Sequence, residues 1–66
     1  MENTVREKRN AKQLTQTQLA ELIGVSRQTI FSIETGKYVP SVILAIKLAR
    51  VFGEPVEDVF QLDESD

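Results

Sequence analysis

Sixty-six residues make one domain, close to the lower limit for a chain stabilised by its own apolar core. There is no Cys and no His, which rules out disulfides and removes the commonest zinc ligand and the commonest general base. With 41% hydrophobic residues, dense helical packing is feasible, alone or against a second subunit. No signal peptide and no long apolar run is visible, so the sequence predicts a cytoplasmic chain. The net charge of −2 argues at first against a nucleic-acid partner. Its distribution alters that judgement: residues 1–40 carry six Lys or Arg against four acids, and residues 41–66 carry two against six. Positive charge is thus concentrated in the first part, and the acids gather near the end, where they can be kept away from any phosphate surface.

In chain order, the first predicted helix runs from about Thr4 to Lys12, short and highly charged, with Val5 and Arg9 on one face and Arg6, Lys8 and Lys12 more exposed. Such a helix is unstable alone in water and must borrow order by packing Val5 and Leu14 on the rest. Thr15 begins the second helix, because Thr15 and Gln18 have capping-box spacing. Leu19, Leu22 and Ile23 are expected on its inner side, and Gly24 breaks it. Ser26 caps a third helix, Ile30 and Ile33 point inward with Val25, and Thr35-Gly36 ends it. A loop follows from Lys37 to Pro40. Ser41 caps a fourth helix reaching Phe52, stopped by Gly53, and Pro55 is expected at the first position of a fifth, with Glu57 and Asp58 at its positive end. The pattern admits a short strand over Phe60–Leu62, and Asp63 to Asp66 reads as a disordered, solvated tail.

Two short helices joined by a glycine-bearing turn over residues 16–35 form a helix-turn-helix. Ala20 supplies the small side chain that a steep helix crossing needs. The third helix turns Arg27, Gln28, Phe31 and Ser32 to the outer side. Arg can donate two bonds to guanine O6 and N7, and Gln can pair with adenine N6 and N7, so Arg27 and Gln28 are the main candidates for reading sequence. The bland alternative leaves Arg27 on phosphate only and Ser32 merely solvated. Phe31 has two readings, contact with a thymine methyl or sideways packing on Tyr38 or helix 4, and the second is favoured. Gln16 stands at the start of the second helix, where free N–H groups and the dipole attract anions.

Leu14-Thr15-Gln16, Leu19-Ala20, Gly24-Val25-Ser26, Gln28-Thr29-Ile30, Ile33-Glu34, Gly36-Lys37 and Pro40-Ser41 together resemble the phage-repressor and Cro-like helix-turn-helix family, also called the xenobiotic-response-element (XRE) family. The likeness extends to Pro55-Val56-Glu57-Asp58-Val59-Phe60. It implies an all-α, compact five-helix lambda-repressor-like domain spanning residues 1–66. It further implies DNA base contacts from the first turn of helix 3 and from Ser32, a phosphate clamp at Gln16, and phosphate-positioning roles for Ser26, Thr35, Lys37 and Thr17. For these last residues, capping or solvation is the competing account. The resemblance also implies an ion pair from Arg9 to Glu34.

Helix 4 is apolar on nearly every face, from Val42 to Phe52, with only Lys47 and Arg50 polar. Part of that surface is expected to meet a second subunit, and the resemblance adds the segment from about 55 to 62 to a twofold homodimer. The competing account closes all these residues into one monomeric core. The function expected is sequence-specific binding to double-stranded DNA carrying an inverted repeat, as a small transcriptional repressor. Two rivals stand beside it: the antitoxin of a toxin-antitoxin pair, and a protein-binding module that reads no DNA. No nucleophile–base pair, phosphate loop or metal cluster is legible, so neither an enzyme nor a cofactor is expected.

Overall fold

The computed structural model describes residues 1–66. Seven elements follow one another: β1 (Glu2–Asn3), α1 (Val5–Ala11), α2 (Gln16–Ile23), α3 (Arg27–Glu34), α4 (Val42–Phe52), α5 (Val56–Val59) and β2 (Phe60–Gln61). The expected helices are all present, with Thr4 and Lys12 flanking α1 rather than belonging to it.

Local chemistry explains the helix boundaries. Thr15 Oγ1 accepts from the Gln18 backbone N–H at 3.0 Å, and Gln18 Oε1 accepts from the Thr15 N–H at 2.8 Å, a complete capping box. Ser26 and Ser41 cap α3 and α4 by accepting from Thr29 and Leu44 N–H groups. Gly24 ends α2 at φ +76°, a left-handed conformation costly for a residue with a Cβ. α1 ends less comfortably: Gln13 adopts φ +58° without being a glycine, while its N–H and that of Leu14 close the helix onto Asn10 and Arg9 carbonyls. Pro55 occupies the N-cap of α5 with extended backbone, one position before the expected site, because its ψ of 151° is not helical.

The core consists of Val5 from α1, Leu19, Ala20 and Ile23 from α2, Ile30 and Ile33 from α3, Leu48, Ala49 and Phe52 from α4, then Val59 and Phe60. Every one of these buried residues is apolar. Leu22 departs from expectation, being 61% exposed. On a helix of 100° steps, Leu19, Ile23 and Ala20 define the inner arc, and Leu22 falls beyond its edge.

β1 was not legible in the sequence. It pairs antiparallel with β2, Glu2 opposite Gln61 and Asn3 opposite Phe60, so the strand foreseen near Phe60 finds its partner at the other end of the chain. Asn3 reinforces the junction twice. Its Oδ1 accepts from the Val5 N–H at 3.1 Å, and its Nδ2 donates to the Ile33 carbonyl at 2.9 Å, near the end of α3. Thr4 donates its backbone N–H to the Val59 carbonyl and its hydroxyl to that of Asp58, each at 2.9 Å. The expected disordered tail instead folds back: the Met1 ammonium lies 3.0 Å from both Asp63 and Asp66. The Ser65 hydroxyl, followed by that ammonium, holds the Asp63 carboxyl down to about 2.

Candidate nucleic-acid interface

The turn between α2 and α3 presents the first turn of α3 to solvent. Arg27 and Gln28 are exposed there, Ser32 is half-buried one turn further, and none of the three side chains has a protein hydrogen-bond partner. Beside them runs an open groove of about 380 Å³ lined by Val25, Gln28, Thr29, Ser32, Tyr38 and Leu44. Two of the expected reading residues, Gln28 and Ser32, thus share one concavity with the apolar Val25, Tyr38 and Leu44. Phe31 is 39% exposed and does not line this groove, so a substantial part of its ring remains in solvent.

The residues expected to meet phosphates divide into two groups. Thr17 and Lys37 are exposed with unengaged side chains. The others have internal tasks. Ser26 Oγ caps α3 and lies 3.0 Å from Thr29 Oγ1. The Thr35 hydroxyl donates back to the Phe31 carbonyl at 3.0 Å, leaving its oxygen lone pairs as acceptors. Gln16 donates through Nε2 to Glu34 Oε1 at 3.1 Å, which keeps the side chain beside the α2 N-terminus but uses one of its two N–H bonds.

Glu34 forms the hub behind this surface. Its side chain is fully buried at the C-terminal end of α3, where the helix dipole is unfavourable to an anion. The expected pair with Arg9 is formed: Nε reaches Oε2 at 2.6 Å and Nη2 reaches Oε1 at 3.2 Å, while Nη1 donates to the Leu14 carbonyl at 2.8 Å. Arg6 adds a longer contact through Nε at 3.4 Å. Burial alone would raise the Glu34 carboxyl pKa, but hydrogen bonds from Arg9 and Gln16, the Arg9 charge and the Arg6 contact outweigh it, so it lies below its ordinary value. One carboxylate thereby ties together α1, the start of α2 and the end of α3. Arg6 is not among the site residues expected from the sequence, because its separation of 28 residues from Glu34 leaves no local signal.

A five-helix domain with a capped helix-turn-helix and an exposed first turn of α3 has the architecture in which DNA-reading motifs are found. Residues 5–59 match the helix-turn-helix family model, and the chain belongs to that family of transcriptional regulators. It is 52% identical over 65 residues to an uncharacterised HTH-type transcriptional regulator of Methanothermobacter thermautotrophicus, covering 97% of this chain and 94% of the relative. It is 47% identical over 64 residues to the uncharacterised HTH-type transcriptional regulator YgzD of Bacillus subtilis, covering 97% of each. Among solved structures, the restriction-modification controller protein C.AhdI of Aeromonas hydrophila superposes with a TM-score of 0.77 at 34% identity, over 85% of both chains. The family is one of DNA-binding regulators and not a class of enzymes. No helix is long and apolar enough to cross a membrane.

Proposed function

We propose that this protein is a cytoplasmic, homodimeric repressor that reads an inverted repeat in double-stranded DNA, each subunit placing α3 in one major groove. The observation carrying this reading is the exposed, unpartnered pair Arg27 and Gln28 on the first turn of α3, the part of a recognition helix that contacts base edges. Ser32, which lines the groove beside Gln28, adds a further contact. Gln16, Thr17, Ser26, Thr35 and Lys37 position the DNA backbone: Ser26 caps α3 as an acceptor and keeps its hydroxyl hydrogen for a phosphate, whereas the Thr35 hydroxyl must turn from the Phe31 carbonyl to donate to one.

Dimerisation is supported by size and by surface. The subunit measures 32 × 22 × 20 Å and carries one recognition helix, whereas half-sites lie about 34 Å apart, so one subunit serves one half-site. α4 leaves Val42 74% and Ile43 68% exposed, with Ile46 on the same helical arc and Val39 exposed in the preceding loop. Val59 and Phe60, in contrast, are consumed by the subunit's own core. We assign the seam to α4, with the exposed Leu62 as the contribution of the 55–62 segment. A monomer would leave this apolar surface in water.

Selection of bound duplexes from a random pool tests the reading. An enriched inverted repeat with half-sites one turn apart supports it, and enrichment of a single half-site contradicts the dimer. If nothing is enriched at low salt, the protein does not read DNA by itself.

A further inference from the structure

The Glu34 hub holds more positive charge than its carboxylate balances. Arg6 and Arg9 both reach Glu34, so two guanidiniums meet one anion. Arg9 is only 12% exposed, and each of its three guanidinium nitrogens is bonded to Glu34 or Leu14. Arg6 differs in each respect. Its side chain is 52% exposed, its only contact is the long one through Nε, and its two terminal nitrogens have no partner. The oxygen it touches is the one that accepts from Gln16 Nε2, so Arg6 Nε and Gln16 Nε2 both lie within 3.4 Å of Glu34 Oε1.

We propose that Arg6 is a further DNA-backbone anchor, donating from its terminal nitrogens to a phosphate next to the one met by Gln16. This rests on the reading of α3 as the DNA-reading helix. A role for Arg6 as a mere counter-ion is redundant, because Arg9 already satisfies Glu34 with two shorter bonds. An exposed third contact adds little stability. The Nε contact has a different consequence: it restrains a long side chain and leaves the fork of terminal N–H groups free, the geometry that suits a phosphate. Glu34 thereby positions a cation and an amide side by side at the same edge of the surface.

The test is the salt dependence of binding to the selected duplex and to a random duplex, for wild type, Arg6→Gln, Arg6→Lys and Lys12→Gln. Lys12 matches the charge change and lies outside the hub, at the end of α1. Arg6→Gln should weaken binding to both duplexes alike and flatten the slope of log K against log salt by about 1 per subunit. Arg6→Lys should restore most of the slope, and Lys12→Gln should leave it unchanged. The proposal is overturned if Arg6→Gln keeps the wild-type slope, whether or not its thermal stability falls, or if Lys12→Gln flattens it equally. Absence of salt-dependent binding by the wild type instead removes the DNA reading itself, and the role of Arg6 with it.

Discussion

Replacing Glu34 with Leu leaves the Arg9 guanidinium, only 12% exposed, without its anion and without its bonds at 2.6 and 3.2 Å. Breaking a buried pair from one side costs about 3–5 kcal/mol. At roughly 0.05–0.15 kcal/mol per residue, a chain of this length has only about 3–10 kcal/mol in total. Glu34→Leu should therefore be marginally folded at 25 °C, and Arg9→Met, which strands the carboxylate, should be similarly weak. The double variant removes both charges, and Arg6 can turn to water. It should be more stable than the sum of the single losses predicts by about 2 kcal/mol or more. Urea unfolding followed by circular dichroism measures all four corners of the cycle. Additivity within about 0.5 kcal/mol would refute the hub as a coupled unit. Acid adds a second signature. The folded Glu34 carboxyl titrates below its ordinary value of 4.5, so its stabilisation is complete above that value and is lost as pH falls through the lower folded one. The double variant should lack this part of the acid-induced loss.

Three further outcomes follow from particular residues. Gln13→Gly should stabilise the fold by about 0.5–1 kcal/mol in thermal melts, because the left-handed conformation at φ +58° ceases to strain a Cβ. Ala20→Leu should cost about 1–3 kcal/mol, since Ala20 is buried on the inner face of α2 and an isobutyl side chain in place of its methyl has no room without helix displacement. Ile43→Glu should shift the protein to monomer in sedimentation equilibrium while preserving its helical signal, and unchanged dimerisation would remove α4 from the seam.

The helix boundaries were legible because their signals are local: Thr15 with Gln18, Ser26, Ser41 and the terminating glycines act over a few residues. The Arg9–Glu34 pair spans 25 residues and was available only through family resemblance. β1 and the two bonds of Asn3 were invisible, since a two-residue strand has no periodicity and its partner lies at the far end of the chain. Leu22 lies outside the buried arc of α2, whose edge hydrophobicity alone does not locate. At the interface, the outward turn of Arg27 and Gln28 followed from helical spacing. The capture of the Gln16 amide by Glu34 required the packed hub.

The most direct test of the account is a base-by-base preference profile of wild type and Gln28→Ala on the selected duplex. Loss of discrimination at one base pair in each half-site, costing about 1–3 kcal/mol per site with other positions unchanged, is the predicted result. A profile identical to wild type at every position, with folding intact, would contradict the placement of the first turn of α3 against the bases.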